Sequence, residues 1–191
     1  PRSADIDPSA DPGTQVRQSF ESSLKHLHTD MLDSYVLHGP TYRRGLAPED
    51  WAVWGAMEEL YRAGKTKMLG ASNVSAEQLA LLCSKAAVKP MVVQNRCFAV
   101  TGWDHHVRKL CREQGVAYEG FSLLTANQEF LGAPEIHAAA RRVGAGVAQV
   151  IFRFAQQIGM IPLTGTTDEQ HMKDDLQCEK FSLTPEELKQ I

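Results

Sequence analysis

Five short apolar runs in this chain each finish on residues that a packed core would not select. His38 closes "YVLHGP", Ser72-Asn73 closes "KMLGAS", and Gln94-Asn95 closes "PMVVQN". Phe121-Ser122 follows "VAYEG", and Thr164-Gly165-Thr166 follows "MIPL". A lone histidine at such a place has two readings. It is a catalytic imidazole at the mouth of a sheet, or a histidine whose ring nitrogens are satisfied by backbone, and for His38 alone the second is favoured. Asn73 alone reads equally well as a turn residue, and Gln94 as a satisfied amide at a sheet edge. Taken together, the five change the balance. Hydroxyl, amide and imidazole groups converging on one rim can bind a carboxamide or a carbonyl, with the flat ring of Phe121 beside them.

Other chemistries find less support. The four cysteines at 83, 97, 111 and 178 form no CxxC pair, and no His/Cys group has zinc spacing. They read as free, packed thiols, which fits a reducing, cytoplasmic compartment. Twenty basic and 23 acidic residues give a formal charge of −3 without a basic block, which argues against a nucleic-acid partner. The apolar runs are too short to span a membrane, and the first residues lack the pattern of a secretory signal.

The elements that must carry the polar rim alternate. Residues 1–13, rich in Pro, Asp and Ser, read as an arm or loop. Thr14 then caps a helix with Val16, Phe20, Leu24 and Leu27 on one face. A strand is expected at 32–38, a helix at 50–63 ending before Gly64, and a strand at 67–71. Ser75 and Gln78 form a capping-box pattern ahead of the next helix. Strands at 91–95 and 116–121 flank a helix near 103–114, and the stretch 134–158 splits into two helices at Gly144 and Gly146. "MIPLTG" supplies the last strand, Thr167 with Gln170 reads as a cap, and Thr184-Pro185 opens a terminal helix. Continuous apolar strands alternating with helices mean an α/β fold with parallel strands. A doubly wound sheet and a barrel both satisfy the pattern. There is no GxGxxG, no GxxxxGK[ST] and no GxSxG.

In their order and spacing the blocks "YVLHGP", "GKTKMLGASNV", "VVQN", "VAYEGFSLL" and "MIPLTGTT" resemble the aldo-keto reductase family, from about residue 14 to the end. The resemblance implies a partial (β/α)8 TIM-type barrel over 14–191, corresponding to strands four to eight of the family. It implies NADPH or NADH as cofactor, NADP being the commoner in the family, and a small carbonyl compound as substrate. By position, His38 matches the active-site histidine that orients the carbonyl. Ser72, Asn73 and Gln94 match the residues that hold the nicotinamide carboxamide, Phe121 the aromatic that stacks on its ring, and Ser122 a serine over the pyrophosphate. Thr164, Gly165 and Thr166 lie where the family holds the 2′-phosphate. His171, Asp174 and Asp175 fall on its Arg-x-x-Glu-Asn positions.

Two departures follow. Thr164 and His171 stand where a lysine and an arginine are common, so the preference for NADPH over NADH is in question. The family's aspartate, its general-acid tyrosine and its lysine have no counterpart among the matched blocks, and Tyr35, Tyr42, Tyr61 and Tyr118 occupy none of their places. Five strands do not close a barrel, and edges near residues 32 and 160 would be open to self-association. The leading expectation is a portion of a reductase that converts an aldehyde or ketone to an alcohol. The alternative is a shortened, inactive homologue acting as a binding or assembly module.

Overall fold

The computed structural model describes residues 5–191. Its chain divides into two compact units, Pro1–Val93 with Glu113–Val116, and Gln94–Arg112 with Ala117–Ile191. The sequence places an arm or loop over 1–13, ahead of a barrel portion over 14–191. The last residues of the expected arm are in fact helical, and residues 1–4 lie outside the described part.

In the first unit, helix α1 (Pro12–Leu27) precedes strand β1 (Leu32–Leu37), helix α2 (Pro48–Arg62), strand β2 (Thr66–Ser72) and helix α3 (Ala76–Lys85). α1 begins two residues before Thr14, because Asp11 is the cap: its carboxylate accepts from Thr14 N at 3.0 Å and Thr14 Oγ1 at 2.6 Å. Pro12 sits in the first turn, where a missing N–H costs nothing. The residues ahead of the helix are tied back to it, with Asp7 N donating to Gln18 Oε1 and Gln15 Nε2 to the Ala10 carbonyl.

β1 and β2 pair in parallel, Leu32 opposite Thr66 and Leu37 opposite Ala71. Phe20, Leu24 and Leu32 pack as a cluster bordered by Tyr35 and Leu60, and the Phe20 and Tyr35 rings meet edge to face at 5.0 Å. On α2, Trp54 and Met57 are buried, and Trp54 Nε1 donates to the Val88 carbonyl. Gly64 ends that helix region with φ of 70°, a conformation that costs glycine little. At Gly70 a Cβ would meet the Val92 carbonyl oxygen at 2.9 Å, so the strand beside it approaches only because no side chain is there.

Strand β3 (Val92–Arg96) and helix α4 (His105–Gln114) contribute residues to both units. The second unit continues with β4 (Ala117–Phe121), α5 (Gln128–Leu131), α6 (Pro134–Val143), α7 (Val147–Gln157), β5 (Ile161–Pro162), α8 (Glu169–Asp175) and α9 (Pro185–Gln190). β4 and β5 run parallel, Glu119 opposite Ile161. β5 is only two residues long, against the six-residue run expected, and Pro162 supplies no N–H to a ladder. α8 is capped by Asp168 rather than Thr167, its carboxylate accepting from His171 N at 2.9 Å. Ile136, Ile151, Val150 and Phe154 form buried faces of α6 and α7. Trp103 packs against Phe130 and Phe154, at 5.5 and 5.2 Å between ring centres.

Candidate active site

β1 stops at Leu37, so His38 stands one residue beyond the strand, with its side chain exposed. Its carbonyl accepts from Asn73 Nδ2 at 2.8 Å, and the same nitrogen lies 3.0 Å from Ser72 Oγ. Asn73 has φ of 53°, a left-handed conformation that asparagine tolerates better than most residues. It therefore does what a turn residue does, linking the ends of β1 and β2. Both bonds use the donor end of its amide, so the carbonyl end faces the other way. Ser72 is buried beside it.

The loop after His38 is held from two sides. Gln78, capped as expected by reciprocal bonds with Ser75, also donates through Nε2 to the carbonyls of Tyr42 and Gly45, each at 2.8 Å. Asp50 accepts from Thr41 N, Thr41 Oγ1 and Ala47 N at 2.7–2.9 Å. Both anchors are buried, while the Tyr42 side chain is exposed.

In the second unit, alternation puts Gln94 and Arg96 on one face of β3, and Glu119 and Phe121 on one face of β4. Gln94 Nε2 donates to Glu119 Oε2 at 2.9 Å, which fixes which end of its amide is the donor. The Arg96 guanidinium carbon lies 5.6 Å from the Phe121 ring centre. Ser122 follows with φ of 57°, and its carbonyl accepts from Ala126 N at 3.0 Å. A hydroxyl-bearing residue held left-handed at a strand end stores backbone strain, a frequent property of ligand sites. Phe121, Ser122, Phe152, Leu163, Thr164 and Gly165 line a cleft of about 340 Å³.

Thr164 and Asp175 lie together, the hydroxyl donating to the carboxylate at 2.9 Å. Thr166 Oγ1 accepts from Asp168 N, and His171 is exposed on the first turn of α8. Lys173 is spent on Glu169 at 2.7 Å.

Sequence reasoning passed over three residues here. Glu119 and Arg96 were accessible from the two-residue alternation with Phe121 and Gln94. Asn127 was not, because its partners are backbone groups. Its Oδ1 accepts from Ala99 N at 2.7 Å, and its Nδ2 donates to the carbonyls of Cys97 and Leu123 at 3.0 and 2.9 Å. This buried amide joins the loops that leave β3 and β4.

Two of the tyrosines are engaged elsewhere. Tyr35 Oη donates to the Val16 carbonyl, and burial raises its pKa. Tyr118 is buried and donates to Asp104 at 2.7 Å, with Asn95 Nδ2 donating to the same oxygen at 2.8 Å. Burial, then the neighbouring Cys97 and Asp104, keep the Tyr118 phenol protonated. The four cysteines are free and buried, and burial pushes the Cys97 thiol up to about 11. Among the described residues, no group of three or more His, Cys, Asp or Glu is arranged to hold a metal ion, and no helix is long and apolar enough to cross a membrane.

The sequence model of the Aldo/keto reductase family matches residues 6–191. The chain belongs to that family. The aldo/keto reductase match starts eight residues ahead of residue 14, where the resemblance read from the sequence begins. Among curated relatives, the chain is 30% identical to "7-acetyl-epi-neemfruitin B aldo-keto reductase" of Melia azedarach, over 93% of this chain and 60% of that protein. It is 32% identical to "Uncharacterized oxidoreductase YtbE" of Bacillus subtilis, over 91% of this chain and 59% of that one. It thus spans about 60% of the length of these aldo/keto reductase relatives. The crystal structure of MGS-M4, an aldo-keto reductase from a Medee basin deep-sea metagenome library, superposes with a TM-score of 0.86 at 22% identity. That match covers 96% of this chain and 66% of the other, and shows the shared fold.

Proposed function

We propose that this chain is the nicotinamide-dinucleotide-binding portion of a reductase that converts an aldehyde or ketone to an alcohol. The observation that carries the reading is the cleft at the end of β4, where Phe121, the left-handed Ser122, Thr164 and Gly165 share one lining. An aromatic face, a hydroxyl and open backbone suit a planar heterocycle joined to a polar linker. A Cβ placed on Gly165 would meet nothing within 4 Å, so the lining there is open to a ligand.

The fit divides the two cofactors. Gln94, oriented by Glu119, presents an amide that suits a carboxamide. At Thr164 the hydroxyl is turned toward Asp175, and a 2′-phosphate there would meet a carboxylate where the family commonly places cations. The residues therefore fit NADH better than NADPH. When bound, the cofactor supplies hydride. The chain's residues orient it, through Gln94 and Phe121 in the second unit.

The proton that the product alkoxide requires comes from none of the engaged tyrosines. Tyr118 is buried and bonded to Asp104, and the half-buried Tyr35 is bonded to the Val16 carbonyl, which favours a binding role for this length of chain over turnover.

The test is a fluorescence titration of the 191-residue protein with NADH and NADPH, with Phe121→Ala and Gln94→Ala as controls. We expect saturable NADH binding, weakened by roughly 1–3 kcal/mol when the Gln94 amide is removed. Absence of binding, or binding indifferent to both substitutions, removes the cleft from this role.

A further inference from the structure

Arg96 ends β3 with its side chain exposed, and its guanidinium is set over the Phe121 ring at 5.6 Å. Among the described residues it takes part in no hydrogen bond or ion pair. The carboxylate of Glu119, on the same face of β4 as Phe121, receives Gln94 instead. Arginine is weakly hydrated and planar, so an aromatic face holds it in place while its N–H fork stays available. That fork matches two oxygens of a carboxylate or phosphate. Phe121 also lines the 340 Å³ cleft, whose lining includes no cationic side chain, Arg96 standing outside it against Phe121.

We propose that Arg96 is the anion-receiving residue of the Phe121 cleft, taking a carboxylate or phosphate of the molecule that lies against the ring. The phosphate source rests on the cofactor reading given above. The carboxylate source is an acidic aldehyde or ketone and stands without it. Either way, the chain's discrimination for a charged ligand is concentrated in one side chain, outside the residues that the family resemblance singled out.

The experiment uses the full chain and calorimetric titration of two matched pairs of probes. One pair is reduced nicotinamide mononucleotide against reduced nicotinamide riboside, which differ by the phosphate. The other is 4-carboxybenzaldehyde against its methyl ester. Wild type is expected to bind the charged member of at least one pair about tenfold more tightly, with Arg96→Gln erasing the difference and Arg96→Lys keeping part of it. Loss confined to the phosphate pair assigns the anion to the cofactor, and loss confined to the carboxylate pair assigns it to the substrate. Carboxylate discrimination without binding of either nicotinamide probe keeps Arg96 in this role and removes the cofactor reading. The proposal is overturned if wild type discriminates in neither pair, or if Arg96→Gln, shown folded by circular dichroism, discriminates as wild type does.

Discussion

The Thr164 hydroxyl, just past β5, and the Asp175 carboxylate, on the last residue of α8, are joined by a 2.9 Å hydrogen bond. A hydroxyl committed to a carboxylate cannot at the same time donate to a phosphate. Asp175→Asn should therefore raise NADPH affinity relative to NADH by about five- to tenfold, the scale of removing one exposed like charge. The ratio of dissociation constants at fixed ionic strength checks it. A wild-type chain that already prefers NADPH a hundredfold would mean that an unidentified cation reaches the phosphate.

Asn127 makes three hydrogen bonds to backbone on two loops, two of them fully buried, and truncation would leave those groups without partners. Asn127→Ala should destabilise the fold by about 2–4 kcal/mol. Urea unfolding would show a lower midpoint at an unchanged slope. A loss below about 0.5 kcal/mol would mean that water substitutes for the amide.

Gln78 anchors the His38 loop through the Tyr42 and Gly45 carbonyls. Gln78→Met keeps the bulk and helix propensity but not the donors. Amide exchange should accelerate over residues 39–47 by about tenfold or more, with the interior of α2 little affected. Uniform acceleration across the first unit would assign Gln78 to global stability instead.

Arg142 and Glu187 form a two-pronged ion pair at 2.6 Å between α6 and α9. The arginine holds the Glu187 carboxyl below its ordinary value of 4.5. A depressed carboxyl contributes stability above its unfolded-state pKa and loses it as pH falls through the lower, folded value. The melting temperature should therefore drop on acidification below about pH 4.5, and Glu187→Gln should show a shallower drop over the same window. Parallel pH profiles for the two proteins would exclude the pair as a contributor.

The 191-residue chain should show no carbonyl-dependent oxidation of NADH or NADPH with a reactive nitrobenzaldehyde. A positioned general acid typically contributes 10²–10⁴-fold, and Tyr35 and Tyr118, each bonded elsewhere, are not placed to supply one. Turnover that disappears in His38→Ala would overturn this and direct attention to the exposed Tyr42.

Much of this arrangement is legible in the sequence, because apolar runs and caps are local signals. The Ser75–Gln78 and Thr184–Glu187 caps form as their spacing dictates. β1 and β4 lie within a residue or two of where their apolar runs suggest. The misses have local causes as well. Asp11 takes the cap from Thr14 because its two carboxylate oxygens accept from both the Thr14 N–H and the Thr14 hydroxyl, and Pro162 cuts β5 short. What no local signal carries is the second duty of Gln78, whose partners are carbonyls 33 and 36 residues away. The Thr164–Asp175 bond is similar, since each residue reads as an ordinary polar position until α8 folds back and brings them together. The rim was visible as residue types; the way its members use one another was not.

The four buried thiols turn the folded protein into its own clock. Cys83 belongs to the first unit, and Cys97, Cys111 and Cys178 to the second. Burial raises the pKa of Cys83, Cys97 and Cys178, so alkylation must wait for a local opening. Peptide-resolved labelling with an alkylating reagent then times the opening of each unit separately, without a single substitution.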